Sequence, residues 1–129
     1  GRVFYFCGNI DETYLEFHFP EHRELMTRPV KLFSSSMVVT DAPETVEISI
    51  RKQEMKNRII LHIINFTGEM TRPINRVIPI HNINISLPWI KEASKVMLLS
   101  EGKELSYKFE NGISFTIPRL DVYEAIVIE

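Results

Sequence analysis

The chain has 129 residues, of which 44% are hydrophobic and 25% charged, and its formal net charge is −2. This size fits one globular domain with its own core, or one domain plus a fragment. The near-neutral charge excludes an electrostatic basis for binding nucleic acid or an anionic membrane. No apolar run reaches the roughly 20 residues of a membrane-spanning helix. We expect a soluble protein; the compartment stays open, with the cytoplasm favoured.

The first 36 residues contain one strand and one helix. Residues 3–7 are apolar on both faces, which predicts a buried strand that ends at Gly8. Residues 20–33 predict a helix, because Pro20 suits a first helical position and Glu21 suits the positive end of the helix dipole. Pro29 should kink or shorten this helix. A strand and a helix are half of a βαβ unit, which cannot bury its own apolar surface.

The composition changes between residues 34 and 43, where Ser, Thr, Asp and Pro are concentrated. Such a segment is typical of a linker. We therefore predict three parts: residues 1–36, a linker at 37–42, and a second domain at 43–129.

The pattern of the second domain predicts an antiparallel β-sandwich of seven or eight short strands. Its centre is the run 57–66, which is apolar on both faces and therefore belongs inside a sheet. Asn111-Gly112 predicts a hairpin, while Pro88 and Pro118 should end strands. The remaining strands are predicted at 46–51, 77–80, 83–87, 96–99, 105–109, 113–117 and 122–128. The predicted core includes Val46, Ile48, Ile50, Ile59, Leu61, Ile63, Ile85, Leu87, Phe115 and Ile126.

Three histidines and the cysteine are candidates for a chemical site. His18 and His22 are four residues apart, a spacing that can hold a metal on a helix. Pro20 lies between them, however, so we expect a solvated helix start and no metal site. His62 is expected to be a core histidine with satisfied hydrogen bonds. Cys7 has no nearby base, so we expect an inert thiol; as the single cysteine it also excludes an internal disulfide.

Asp11 and Glu12 are adjacent acids that could act as an acid–base pair, but a solvated loop is the simpler interpretation. We therefore predict no catalytic residues and no cofactor.

Trp89 is the candidate carbohydrate-binding residue. It follows Pro88 at a strand end, and an aromatic face suits a sugar ring. The competing interpretation is a plug over one end of the sandwich, which we favour. Asn65-Phe-Thr and Asn84-Ile-Ser match the glycosylation acceptor pattern, which also arises often by chance.

Four segments carry a family resemblance: GRVFYF (1–6), LHIINFTG (61–68), PIHNINISLP (79–88) and IPRLDVYEAIVIE (117–129). In this order they resemble the C-terminal end of glycoside hydrolases related to family-42 β-galactosidases and α-fucosidase-like enzymes. In that group a TIM barrel carries catalysis. A glutamine-amidotransferase-like α/β domain follows, called the trimerisation domain in β-galactosidases, and a small β-sandwich closes the chain.

The resemblance implies that residues 1–36 are the last strand and helix of the amidotransferase-like domain, and that residues 43–129 are the terminal sandwich. It assigns no catalytic residue, because the barrel is absent here. The expected function is a non-catalytic structural domain of a β-galactosidase-like glycoside hydrolase, partnered by the rest of its parent polypeptide. A carbohydrate-binding module and a small free-standing enzyme are the alternatives. A homodimer is also expected, formed through exchange of the first strand across the linker; pairing of that strand with the edge of its own sandwich is the alternative.

Overall fold

The computed structural model describes residues 3–69 and 73–129. The chain divides into two compact units, Gly1–Ser36 and Met37–Glu129. No helix in these described ranges is long and apolar enough to cross a membrane.

The second unit is a β-sandwich of nine strands within the described residues, which confirms the predicted fold class. One sheet has four strands in the order β1-β4-β8-β7, and the other has five in the order β2-β3-β9-β5-β6. All the recorded strand pairs are antiparallel. The strands are β1 Val39–Thr40, β2 Val46–Gln53, β3 Arg58–Asn65, β4 Ile80–Leu87, β5 Val96–Leu98, β6 Lys103–Glu104, β7 Tyr107–Phe109, β8 Ile113–Leu120 and β9 Tyr123–Ile128.

The central run 57–66 becomes β3, an interior strand between β2 and β9, as predicted. Leu61 and Ile63 point into the core and are fully buried, while the alternate residues Ile60 and Ile64 are half-buried on the other face. A short 3-10 helix, Glu54–Lys56, connects β2 to β3.

The core lies between the two sheets and is formed by the alternating apolar residues of both. Six of the ten predicted core residues are buried: Leu61, Ile63, Ile85, Leu87, Phe115 and Ile126. The other four pack against the core but are only partly buried: Val46, Ile48, Ile50 and Ile59. Three of these lie on β2, which is at the edge of its sheet, so solvent reaches them from one side.

Pro118 does not end a strand, contrary to the prediction. β8 continues through it to Leu120. The register pairs Ile117 with Ile83 and Arg119 with His81, and leaves Pro118 unpaired opposite Asn82. Asn82 has a positive φ of 56°. The missing proline N–H is therefore accommodated by one local irregularity in β4 instead of a break.

The predicted strand at 77–80 is also not formed as such. Val77 makes an isolated bridge with Gly68, and regular pairing begins at Ile80 with β4. The hairpin at Asn111-Gly112 is confirmed, since β7 and β8 pair around it.

The first unit consists of α1 Ile10–Phe17 and α2 Pro20–Phe33. The second helix is confirmed over its predicted range, and it runs through Pro29 to Phe33. The strand predicted at 3–7 is wrong: the structure has no strand there. A strand needs a neighbour to pair with, and no described segment provides one. The segment is instead exposed, with Val3 at 92% and Tyr5 at 86% of full exposure.

Sequence reasoning missed α1, which replaces the expected loop around Asp11 and Glu12. Asn9 precedes the first helical residue: its carbonyl accepts the Thr13 N–H at 3.0 Å, and its side-chain amide donates to Glu12 Oε2 at 2.8 Å without capping a backbone N–H. His18 ends it in the left-handed conformation, with its N–H donating to the Tyr14 carbonyl at 2.8 Å. The two acids lie in the first turn, where they stabilise the positive end of the helix dipole.

Candidate functional site

A concavity of about 850 Å³ lies over the outer face of the four-stranded sheet. Ile83, Ile85 and Leu87 of β4 point into the core, so Asn84 and Ser86 point outward. Polar side chains from these four strands and their ends, and from β6 and the segment after it, line this groove: Thr40, Asp41, Asn84, Ser86, Lys103, Glu104, Ser106, Lys108, Ser114 and Thr116.

Asn84 is the centre of a hydrogen-bond network in the groove. Asp41, just after β1, accepts the Asn84 backbone N–H at 2.7 Å and its side-chain amide at 2.6 Å. The Asn84 side-chain carbonyl accepts the Thr116 hydroxyl at 2.7 Å, and its backbone carbonyl accepts the Thr40 hydroxyl at 2.8 Å. This network attaches the two-residue strand β1 to β4.

The hydrogen bond from the Asn84 backbone N–H, followed by the one from its side-chain amide, lowers the pKa of the Asp41 carboxyl below its usual value of 3.8. Asp41 is therefore a stable carboxylate at neutral pH and a hydrogen-bond acceptor. The arrangement suits a structural clamp better than a proton donor.

The groove lacks a well-exposed aromatic platform among its lining residues. Phe115 is buried in the core, and Tyr107 is half-buried, with its hydroxyl donating to the Ala93 carbonyl at 3.1 Å. The groove can therefore offer hydroxyl, amide and charged groups to a polar ligand, but little stacking surface.

Trp89 is not among the residues that line the groove. It follows β4, is 40% exposed, and its indole Nε1 donates to the Met37 carbonyl at 2.9 Å. Trp89 therefore holds the segment that leads into β1. Residues 37–42, predicted as a linker, contain β1 and are attached to the sandwich at Met37, Thr40 and Asp41.

The remaining candidates from the sequence are not brought together. His62 lies on the outer face of β3, where its Nδ1 shares a hydrogen bond of 2.7 Å with the Tyr123 hydroxyl. His18 and His22 lie at adjoining helix ends, and Cys7 is exposed. Within the described residues no group of three or more His, Cys, Asp or Glu could hold a metal ion.

Two buried polar residues are structural centres that the sequence pattern does not reveal. The first is Asn65, 1% exposed, which donates from its side-chain amide to the carbonyls of Ile78 at 2.9 Å and Asp121 at 2.7 Å. Its side-chain carbonyl accepts the Thr67 N–H at 2.9 Å. Both asparagines of the glycosylation acceptor patterns, Asn65 and Asn84, therefore have their amides engaged in the fold.

The second centre is Glu124, which is 6% exposed. It accepts the backbone N–H of Ala125 at 2.8 Å and of Ser100 at 3.2 Å, and it bonds the Ser100 hydroxyl. A buried carboxylate with this many donors stabilises the turn after β5 against β9. The sequence does not indicate this role, because Glu124 is a single acidic residue in a strand that is otherwise mostly apolar. Its burial becomes visible only when β9 is placed in the folded sheet.

Comparison with known proteins shows a shared fold. No family model matches the chain, and no curated protein matches it. Solved structures, in contrast, do match it. α-L-Fucosidase isoenzyme 2 from Paenibacillus thiaminolyticus matches with a TM-score of 0.77 and 19% identity, over 94% of this chain and 20% of that one.

A second match is a cycloisomaltooligosaccharide glucanotransferase from Paenibacillus sp., solved in complex with cycloisomaltoheptaose. Its TM-score is 0.56 at 19% identity, over 83% of this chain and 20% of that one. The chain thus shares its fold with a segment of each of these two proteins. It spans about a fifth of the length of each.

Proposed function

We propose that this chain is a non-catalytic accessory region of a glycoside hydrolase, corresponding to the end of its amidotransferase-like domain and its terminal β-sandwich. Its role is structural: it packs against the rest of the parent polypeptide, which carries the catalytic barrel. A cytoplasmic location belongs to the same proposal.

The α-L-fucosidase comparison carries this proposal. The match covers 94% of the chain, which is more than residues 37–129 alone can supply. Both units therefore have counterparts in one enzyme, as expected of a contiguous stretch taken from a larger architecture. At the same time the stretch amounts to 20% of that enzyme, which leaves most of the enzyme outside it.

The exposed apolar side chains of the first unit support the proposal that this unit packs against other parts of the parent polypeptide. Neither α1 nor α2 contains a buried residue. Large side chains stand in solvent on both helices and before them: Val3, Tyr5, Leu15, Phe17, Val30 and Leu32. A stable α/β domain buries such side chains on a sheet, so the first unit is expected to complete one with other parts of the parent polypeptide.

Two sugar classes follow from the resemblance and the comparison. The α-L-fucosidase match favours a parent enzyme that acts on α-L-fucosides. The family-42 resemblance adds β-galactosides as the second class to be tested.

A carbohydrate-binding module is the second candidate, because Trp89 keeps 40% of its surface exposed although its indole N–H is bonded. Sugar binding at Trp89 would change its fluorescence on titration with oligosaccharides, and Trp89→Phe would remove the signal. An unchanged spectrum at millimolar sugar leaves Trp89 with its structural role at Met37.

The decisive test is an activity comparison. We expect the 129-residue chain to hydrolyse neither aryl α-L-fucosides nor aryl β-galactosides. The parent polypeptide is expected to hydrolyse one of them, and to lose expression or thermal stability when this chain is deleted. Turnover by the isolated chain that survives purification and disappears in Asp41→Asn or Glu124→Gln would contradict the proposal and favour a free-standing enzyme.

A further inference from the structure

The strand β2, Val46–Gln53, lies at the edge of the five-stranded sheet. β3 is its neighbour on one side, and no described strand pairs with the other side. Its eight residues make a long edge that no described strand pairs with, and an unpaired edge is a template for pairing with another strand.

The structure identifies which backbone groups of β2 point outward. The Phe66 N–H donates to the Thr45 carbonyl at 2.9 Å, one step beyond the register pair Val46 and Asn65. Hydrogen-bonded pairs alternate along an antiparallel ladder. Odd-numbered residues of β2 therefore bond to β3, and the N–H and C=O groups of Ile48 and Ile50 point to the open side.

The side chains of β2 are arranged symmetrically about Ser49. Glu47 and Arg51 flank it on the outer face, both exposed, and neither forms an ion pair with any described residue. Ile48 and Ile50 flank it on the inner face, where they pack against the core but remain partly buried.

We propose that β2 pairs antiparallel with β2 of a second copy of this chain, about a two-fold axis through Ser49. In this register Glu47 of each copy faces Arg51 of the other, and Ile48 faces Ile50. The outward N–H and C=O groups of Ile48 and Ile50 exchange hydrogen bonds across the seam. The two five-stranded sheets become one continuous sheet.

Glu47 and Arg51 carry opposite charges at the two positions that the proposed axis relates. This distinguishes β2 from an edge strand that is protected against self-pairing. Edge strands avoid self-pairing when like charges meet across the seam. Here a shift of the register in one direction places Arg51 opposite Ser49, and in the other direction Glu47 opposite Ser49. Both shifts lose the ion pairs between the copies, so the sequence selects a single register.

The interface formed by one pair of strands is small compared with stable protein interfaces. The dimer is therefore concentration-dependent, with a dissociation constant in the micromolar to millimolar range. It differs from a dimer formed by the first strand, because it requires only residues of the sandwich.

Charge reversal tests the register by analytical ultracentrifugation of the full chain. Glu47→Arg and Arg51→Glu each place like charges together and should raise the dissociation constant by about tenfold or more. The combination of both changes restores the pairs and should restore the dimer. Glu101→Arg and Arg76→Glu, the same charge changes at exposed sites away from β2, should leave association unchanged.

A disulfide trap tests the axis independently. In a Cys7→Ser background, Ser49→Cys should form a disulfide-linked dimer under mild oxidation, because facing Cα atoms in a non-hydrogen-bonded pair are about 4.5 Å apart. Glu47→Cys alone and Arg51→Cys alone should not cross-link, whereas their mixture should. A wild-type chain that stays monomeric to about 1 mM, or association that ignores both charge reversal and the trap, would overturn the proposal.

Discussion

Asp41 holds Asn84 through both of its carboxylate oxygens: one accepts the backbone N–H at 2.7 Å and the other the side-chain amide at 2.6 Å. In this way a side chain continues the ladder that the two-residue strand β1 is too short to provide. Trp89, through its bond to Met37, secures the other end of the same segment. Together with the Thr40 hydroxyl on the Asn84 carbonyl, these side-chain contacts hold the short strand that closes one edge of the four-stranded sheet.

This contact predicts a specific pH dependence. The pKa of Asp41 is lowered below 3.8, so its contribution to stability is fully present above that pH and is lost as pH falls through the folded-state value. The difference in free energy of unfolding between wild type and Asp41→Asn should therefore shrink on acidification below 3.8. Urea denaturation across that range measures it.

Glu110→Gln is the matched control, since it removes one exposed carboxylate near the opposite edge of the sheet without touching Asn84. A wild-type minus Asp41→Asn difference that is the same at neutral pH and well below 3.8 would contradict this assignment.

Asn65 predicts a larger effect on stability. Asn65→Ala removes a buried side chain whose amide donates to the carbonyls of Ile78 and Asp121 in part-buried hydrogen bonds, so it should cost about 1–3 kcal/mol. Asn84→Ala, on the exposed sheet face, should cost less. Equal losses in chemical denaturation would show that Asn65 does not organise the three segments that meet there.

Much of the sandwich could be predicted from the sequence, because strand alternation and turn residues are local signals. The two apolar faces of β3 place it correctly inside a sheet, and Asn111-Gly112 places the β7–β8 hairpin. The prediction at Pro118 fails because tolerance of this proline depends on Asn82, a residue distant in sequence that adapts its backbone opposite the proline.

The polar centres could not be predicted for the same reason. Asn65 and Glu124 become buried hydrogen-bonding residues only when segments distant in sequence supply their partners, Ile78 and Asp121 for Asn65 and Ser100 for Glu124. In the first unit the error is the reverse: a buried strand is predicted where the structure has an exposed segment. Residues 3–7 have the pattern of a buried strand, but a strand forms only where a neighbour pairs with it, and Tyr5 is left in solvent.

Leu61 tests the predicted core. It is fully buried on β3, so Leu61→Ala should lower the free energy of unfolding by about 2–5 kcal/mol through lost apolar contact and an unfilled cavity. Ile60→Ala is the matched control, because Ile60 is the adjacent residue on the other, half-buried face and should cost less. A larger loss at Ile60 would mean that the outer face is the better-packed one.

Gly112 offers a comparison of two glycines that share a positive φ. Gly112 has φ 103° and Gly102 has φ 62°, so alanine is strained at both positions. At Gly112 a new Cβ would also lie 2.5 Å from Pro88 Cα, whereas at Gly102 it would meet open space. Gly102→Ala should therefore cost about 1–2 kcal/mol, and Gly112→Ala clearly more, because the β7–β8 turn must move away from the end of β4. Thermal and urea unfolding of the two variants measure this; equal costs would mean that the turn at Asn111-Gly112 is not packed against Pro88.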